Sequence, residues 1–434
     1  MSFFFLYVFI VLVFWRPQEW LFPFLFGIPL LQGITYAAIL AMMMEYQSGK
    51  LRMNFKEPQY FLYIGLFVAG VMSHLSWGYW AGLMASWQAI FRLTFFGILL
   101  FGCCNSVSHL RWIARAFVAM GILMAIHGIL QLSQGYGFAG HRPVMSWRPD
   151  VTYLVPRSRF FGIFDDPNDM GQFLVAAMPM AMVMFKKRML LHTVIGAGII
   201  AFIYRGFETT LSRGSMIGLL ASVGIAVVML LFKRRFLYGL GLGLMGALAF
   251  IPFSGRFLGD AWERVNLWGD ANYAWRTRPI FGVGLFMIRD YTLESKAVHN
   301  AYVSCYAEIG VFGFFFWICL ILFAVLGLLQ TRIALRRTEH PEGRYLYDFS
   351  VWGLASLAGF AASAFFLSRA FIFPLYFLTA MMGAVPFLAK AYVPEGEVHK
   401  LGFSIKEVVI LGIPLSLMAI AYVYGAIVVL NTQR

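Results

Sequence analysis

Charged residues are scarce in this sequence: Asp, Glu, Lys and Arg make up only 12% of its 434 residues, whereas hydrophobic residues make up 61%. A typical soluble domain has about 25% charged and about 45–50% apolar residues. The composition therefore excludes a soluble globular enzyme. It also excludes a disordered chain, which requires low hydrophobicity and high charge. The apolar runs are continuous rather than alternating, which favours membrane-spanning helices over a transmembrane β-barrel.

Cysteine and acidic residues are also few. None of the four cysteines has C-x-x-C or zinc-ligand spacing, so we interpret them as small buried hydrophobic residues. The 34 basic residues exceed the 20 acidic ones, but they are spread over short loops. Because nucleic-acid binding requires a concentrated basic face, no nucleic-acid partner is predicted. The absence of a P-loop and of a nucleotide-binding glycine fingerprint disfavours an ATP-driven activity.

The long apolar runs predict an all-α, polytopic integral membrane protein with about 12–13 transmembrane helices in a single multi-span domain, residues 1–434. A helix needs about 20 residues to cross the hydrocarbon core. The first run is short, and a re-entrant or interfacial segment there would reduce the count to twelve. The candidates lie near 2–15, 21–45, 58–77, 84–104, 111–134, 168–185, 189–204, 211–232, 236–253, 300–329, 349–367, 371–389 and 405–428.

The basic residues predict an orientation. Eight of nine lysines lie in one set of alternating loops, which the positive-inside rule assigns to the cytoplasm. The opposite face then carries two long loops, 135–167 and 254–299, together with fourteen of the 25 arginines. Arginine suits bidentate recognition of phosphate, so we hypothesise that this face handles a phosphorylated, membrane-embedded ligand. The alternative is that these arginines contact lipid headgroups or pair with nearby carboxylates. Arg92 lies inside a predicted span.

The first polar motif is the segment 162–169, which leads into an apolar run. Asp166 followed by Pro167 is typical of a helix N-cap and first helical position. Asp165, Asp166 and Asp169 could alternatively hold a hard cation such as Mg²⁺ or neutralise outer arginines. We favour the cap and predict no metal.

The next two motifs contain arginine. Ser212-Arg213-Gly214 lies at the outer end of a span, where a charge indicates either function or snorkelling. Arg264, Trp268 and Ala271 lie at i, i+4 and i+7, which predicts one face of a loop helix. That face would either pack inward or stack the indole on a sugar while the guanidinium binds phosphate. A Pro279-x2-Gly282-x-Gly284 turn follows.

The fourth motif is His299-Asn300-x7-Glu308-x-Gly310, which opens another long span. His299 at a span boundary suits a general base or a donor to a phosphate oxygen. Its spacing predicts a helix face shared with Tyr302 and Tyr306. Glu308 would lie about half a turn away, so a direct dyad with His299 requires the helix to start after the histidine.

In this order, the four motifs resemble the O-antigen ligase/polymerase superfamily of bacterial envelope glycosyltransferases over residues 160–315 or so. The resemblance implies a GT-C-like fold and a metal-independent, inverting enzyme that needs no cofactor. Such proteins transfer a glycan from an undecaprenyl-pyrophosphate carrier at the periplasmic face of the inner membrane. The acceptor is lipid A–core in ligases, another lipid-linked glycan in polymerases, and a protein hydroxyl in O-oligosaccharyltransferases; the ligase activity is slightly favoured here.

The resemblance also implies residue roles. Arg213 and Arg264 would bind the pyrophosphate leaving group, and His299 would assist the acceptor hydroxyl or orient the phosphate; these three are the predicted catalytic residues. The predicted substrate-binding residues are Asn168, Ser212, Trp268, Arg278, Asn300, Tyr302 and Glu308. Two other functions stay open. A transporter of lipid-linked glycans would place its charges near the bilayer midplane, and a scaffold would tolerate loss of His299 and Arg213.

Overall fold

The computed structural model of the chain describes residues 1–25, 27–51, 53–147, 153–185, 189–231, 262–367 and 369–432. Within these ranges the chain is mainly helical, as predicted. The candidate span 236–253 and residues 254–261 of the second long loop lie outside the described residues.

The described residues form fourteen α-helices and one short hairpin. The helices are α1 Ser2–Ile10, α2 Pro17–Trp20, α3 Leu30–Gln47, α4 Pro58–Leu75, α5 Trp80–Cys103, α6 Val107–Gln134, α7 Pro167–Met180, α8 Leu190–Glu208, α9 Arg213–Leu231, α10 Trp262–Thr277, α11 Ala301–Ala334, α12 Pro341–Ala364, α13 Phe373–Ala389 and α14 Ile405–Thr432. The strands β1 (Val144–Ser146) and β2 (Val155–Arg157) pair antiparallel, with Met145 opposite Pro156. This hairpin lies in the first predicted long loop.

Seven helices in the described part are long and apolar enough to cross a membrane: α5, α6, α8, α9, α11, and α13 and α14 with their flanking 3₁₀ turns. This finding confirms an all-α, polytopic membrane protein. Helices α3, α4, α7 and α12 also overlap predicted spans. The choice between twelve and thirteen spans stays a prediction.

Two predicted span boundaries were wrong. The run 21–45 is helical only from Leu30, because Pro23, Gly27 and Pro29 interrupt it and leave a single 3₁₀ turn before α3. The predicted span 349–367 begins earlier, at Pro341, where His340 caps the helix through its side chain. Hydropathy did not predict this start, because the first two turns of α12 contain polar residues.

The core is built around α11, which packs against α4, α10, α12, α13 and α14. Buried aromatic rings in the same core join the segment after α1 to later helices. The Phe117 ring stacks on Phe377 with centroids 4.9 Å apart, and Phe14 meets Phe377 edge-on at 5.4 Å. Because lipid chains are as apolar as these side chains, close packing rather than burial from water holds such helices together.

Small residues bring α9 and α12 into close contact. A side chain at Gly218 would overlap the hydroxyl of Ser363 and the carbonyl of Gly359. At the start of α9, Gly214 lies against Phe366 in the same way. The beginning of α9, which carries Arg213, is thereby fixed next to the segment that follows α12.

Candidate active site

The first and second motifs meet at the start of α7. Asp166 caps α7 by accepting a hydrogen bond from the Asn168 amide at 2.7 Å, and Pro167 occupies the first helical position, which confirms the predicted cap. The Asn168 side-chain oxygen accepts a hydrogen bond from Arg157 at 2.9 Å. The Ser215 hydroxyl, at the start of α9, donates to the Asn168 carbonyl at 3.3 Å. Asn168 therefore joins the hairpin, α7 and α9.

Ser212 holds the beginning of α9. Its hydroxyl accepts from the Ser215 amide at 3.3 Å and donates to the Ser215 hydroxyl at 2.9 Å. Leu211, just before it, has a φ of +48°, a left-handed conformation that is uncommon for a residue other than glycine. Arg213 follows as the first residue of α9 and is exposed. Ser212 thus positions Arg213, and its own hydroxyl is used within the turn.

The third motif forms a helix, α10, as predicted. Trp268 is only 3% exposed, and its indole nitrogen donates to the Val298 carbonyl at 2.7 Å. Its ring meets Phe365 edge-on at 5.5 Å. The sequence left open whether this face packs inward or binds a sugar, and the buried indole favours packing. Arg264, four residues earlier, is half-buried. Trp268 therefore ties α10, which carries Arg264, to the residue before His299.

His299 lies outside the helix that follows it. α11 starts at Ala301, and Asn300 caps it by accepting from the Tyr302 and Val303 amides at 3.0 and 3.2 Å. His299 has a φ of +53°. The predicted helix face shared by His299, Tyr302 and Tyr306 is therefore wrong, because the asparagine cap ends the helical geometry before the histidine.

The two tyrosines pack into the bundle. The Tyr302 hydroxyl donates to the Ala361 carbonyl in α12 at 3.0 Å, and its ring meets Trp317 at 5.3 Å. The Tyr306 hydroxyl donates to the side-chain oxygen of Asn272 in α10. These contacts fix α11 against its neighbours.

Glu308 joins the third and fourth motifs through backbone contacts. Its carboxylate accepts from the Phe286 amide at 2.9 Å, and its carbonyl accepts from the Gly284 amide at 3.0 Å. Inside α11, Gly310 breaks the helix with a φ of +66° and a ψ of −173°. Gly282, at a φ of +76°, approaches that break so closely that a side chain would overlap the Glu308 carbonyl. The glycine turn and the Glu308-x-Gly310 pair therefore form one structural unit, in which the Glu308 carboxylate bonds to a backbone amide.

The charges around His299 define the candidate site. Burial lowers the pKa of His299 below its ordinary value of 6.5, the guanidinium of Arg264 lowers it further, and the carboxylate of Asp166 opposes both. Arg289 and Arg369 add to the lowering. Burial also lowers the pKa of Arg264, with Glu263 and Asp166 opposing and Arg213 contributing in the same direction. We call this group the arginine–histidine cluster; its members are Asp166, Arg213, Arg264, Arg289, His299 and Arg369.

Three members of the cluster, Asp166, Arg289 and Arg369, are not among the predicted site residues, and Asp166 was favoured only as a helix cap. Arg369 donates through Nε to Asp169 Oδ1 at 2.9 Å, and its Nη2 lies 2.6 Å from Oδ2 of the same buried carboxylate. The signal was present: an aspartate in the first turn of an apolar helix needs a cationic partner. Arg289 is exposed in the loop between α10 and α11, and no spacing pattern connects it to His299.

Arg278, beside the third motif, and Asp165, in the first motif, have partners outside the arginine–histidine cluster. Arg278 stacks on Trp77, with its guanidinium carbon 4.1 Å from the ring centroid, and it is absent from the charges that act on His299. Asp165 pairs with Arg159 at 3.1 Å and lies 3.5 Å from His141. Asp165, Asp166 and Asp169 thus have three different partners. In the described ranges, no three His, Cys, Asp or Glu side chains are grouped as a metal site would require.

Comparison with known families addresses the region that holds most of these residues. A family model described as O-antigen ligase matches residues 206–318. This segment of the chain is therefore similar to O-antigen ligases. The match confirms the resemblance to the O-antigen ligase/polymerase superfamily inferred from the motifs. It includes Arg213, Arg264, His299 and Glu308, and it leaves Asn168 outside. A search of curated proteins finds no significant match to the chain.

Proposed function

We propose that this protein transfers a glycan from an undecaprenyl-pyrophosphate donor to an acceptor at the periplasmic face of a bacterial inner membrane, with lipid A–core as the favoured acceptor. The observation that carries the proposal is that the charge of Arg213 acts on Arg264 and the charge of Arg264 acts on His299. Members of the matched family use lipid-linked glycans and acceptors in general. The lysine distribution supports the orientation.

In the proposed reaction, the acceptor hydroxyl oxygen attacks the anomeric carbon of the donor sugar, and the bond from that carbon to the pyrophosphate oxygen breaks. Negative charge develops on the leaving pyrophosphate, where Arg213 and Arg264 would provide bidentate, charge-assisted hydrogen bonds. His299 would accept the proton of the attacking hydroxyl. Attack from the side opposite the leaving group inverts the anomeric centre, and two arginines can supply the charge stabilisation without a metal or cofactor.

The environment of His299 suits this role. A lowered pKa keeps the imidazole neutral near pH 7, and a neutral ring nitrogen can accept a proton. The positive φ of His299 and the asparagine cap after it hold the ring outside α11 rather than along its face. Trp268 and Asn300 would act as positioning residues.

The pH dependence of transfer tests the charge environment. Because the pKa of His299 is lowered, activity should persist through the ordinary histidine pKa of 6.5 and fall only at lower pH, where protonation removes the base. Asp166→Asn keeps a capping side chain but removes a charge that raises the His299 pKa. The acid limb of the pH–activity profile, where transfer activity falls, should therefore move to lower pH. Arg289→Gln removes a charge that lowers this pKa, so the limb should move to higher pH. Unchanged acid limbs in both variants would exclude His299 as the titrating base.

Other activities of the superfamily share this site. A polymerase or a protein O-oligosaccharyltransferase would use the same donor chemistry and differ in the acceptor. A lipid-linked glycan transporter is a more distant alternative. It is disfavoured because Arg213 begins α9 and His299 precedes α11, so both charges lie at helix ends rather than mid-span.

Deletion of the gene in its host, followed by complementation, tests the proposed function. The deletion strain should lose the long glycan of one glycoconjugate among lipopolysaccharide, capsule and glycoproteins, and the missing product names the acceptor. His299→Ala should fail to restore that product because no base remains. His399→Ala, which changes an exposed histidine before α14, should restore it fully. Full restoration by His299→Ala would overturn the catalytic proposal and favour a transporter or scaffold.

A further inference from the structure

A groove lies beside the N-terminal helices, apart from the arginine–histidine cluster. It consists of two cavities of about 230 and 120 Å³, which share Gln32 and Arg92 as lining residues. The larger cavity is bordered by the segment after α1, the beginning of α3 and α5, and the smaller one continues between α3 and α5. No motif used for the proposed function lines it.

Arg92 is the central charge of this groove. It lies near the middle of α5, is exposed, and donates through Nη2 to the Gln88 side chain one turn earlier at 3.2 Å. A charged side chain within a membrane span is costly unless it meets water, a counter-charge or a ligand. Gln88 is neutral and does not balance the guanidinium, so the position calls for an anionic partner.

Arg16 provides a second cation at the other end of the groove. It forms an ion pair with Glu19, but its Nε is buried and has no hydrogen-bond partner in the described part of the chain. Arg16 also lies against Gly162, where any side chain would overlap its guanidinium. Arg16 and its partner Glu19 both line the larger cavity, so an acceptor bound there would meet the guanidinium.

The walls of the smaller cavity are apolar and aromatic. Tyr36 from α3 faces Trp87 and Phe91 from α5, and each helix also contributes an amide side chain, Gln32 or Gln88. On α5, Trp87, Gln88, Phe91 and Arg92 lie at positions that share one helix face. The groove therefore combines a cationic, amide-lined interior with an aromatic wall along the span, which is the pattern of an amphipathic ligand.

We propose that this groove binds a membrane lipid with a phosphate headgroup. The guanidinium groups of Arg92 and Arg16 hold the phosphate, and the wall of Tyr36, Trp87 and Phe91 contacts the first part of the hydrocarbon chain. A lipid is favoured over a free anion because Arg92 lies mid-span and a water-soluble phosphate gains nothing from the aromatic wall. This inference does not rest on the proposed glycan transfer.

Native mass spectrometry of the purified full-length protein tests the proposal, with dihexanoyl phosphatidic acid as the probe and dihexanoyl glycerol as its phosphate-free match. The protein should bind phosphatidic acid at least about tenfold more tightly than dihexanoyl glycerol. Arg92→Gln should weaken phosphatidic acid binding about tenfold, which corresponds to about 1.4 kcal/mol. Arg92→Lys keeps the charge without the planar fork and should lie between the two.

Three controls make the outcome decisive. Arg205→Gln changes an exposed arginine on α8 with one local partner, Glu208, and should leave binding unchanged. Arg276→Gln, which changes an exposed arginine on α10 that lies over the Tyr273 ring, should also leave it unchanged. Equal binding by wild type and Arg92→Gln would overturn the proposal, and so would Arg92-dependent binding of inorganic phosphate as tight as that of phosphatidic acid.

Discussion

Replacement of Arg264 by alanine should reduce glycan transfer by roughly 100- to 1,000-fold, the usual effect of removing one preorganised charge-stabilising donor. Arg264 is half-buried in α10, beside Arg213 and His299, so its charge acts where water screens it poorly. Alanine is a strong helix former, and α10 should therefore persist. The measurement is the initial rate of transfer by purified enzyme from a lipid-linked donor.

Two variants separate the charge-clamp role from a structural one. Arg264→Lys retains a positive charge but not the bidentate geometry, so it should recover only a small part of the activity. Arg276→Ala, on the same helix, removes an exposed arginine that lies over the Tyr273 ring, and the rate should stay near that of wild type. Normal transfer by a folded Arg264→Ala protein would contradict the proposed pyrophosphate clamp at this residue.

The parts of the site that sequence reasoning predicted correctly are local ones. The cap at Asp166 and the helix carrying Arg264 follow from side-chain chemistry and spacing within one or two turns. The order of the motifs also predicted the superfamily. Such signals need no knowledge of which helices are neighbours, because the interacting residues are close in the chain.

The contacts that the sequence did not predict depend on residues far apart in the chain or on a single backbone angle. Helical spacing put His299 on a face with Tyr302 because nothing in the spacing reveals that Asn300 caps α11. Trp268 suited a sugar platform, yet its indole binds the Val298 carbonyl. The Arg369–Asp169 pair joins residues 200 positions apart, so only the packing of α7 against α12 brings the two together.

The difference between local and long-range contacts also explains the positions of Glu308 and the glycine turn. Each motif alone resembled a ligand-binding feature, since an acidic residue and a Gly-x-Gly turn both occur in active sites. In the fold they complete each other: the break in α11 at Gly310 frees backbone groups, and the turn supplies partners for them. The Val311 and Phe312 amides donate to the Pro279 and Ile280 carbonyls at 2.9 and 3.0 Å. A helix that starts at the candidate site is thus held in place by a loop from the same domain.

Gly282→Ala should therefore be among the most damaging single substitutions, although Gly282 touches no predicted substrate. Its φ of +76° disfavours any side chain, and the added carbon would overlap the Glu308 carbonyl and lie 2.6 Å from the Gly310 nitrogen. These are backbone atoms that cannot rotate away. Strain and overpacking together should lower the free energy of unfolding by about 2–5 kcal/mol, and transfer should fall because α11 and the adjacent His299 shift.

Thermal unfolding of the purified protein in detergent, followed by intrinsic fluorescence, measures the expected loss. Gly198→Ala provides the matched control, because Gly198 lies within α8 and an added carbon there meets no atom within 4 Å. Alanine is favoured over glycine in a helix by about 1 kcal/mol, so this variant should melt at or above the wild-type temperature. Equal melting temperatures for Gly282→Ala and wild type would show that the turn and the α11 break are not in close contact, and that Glu308 must then be reconsidered as a substrate-binding residue.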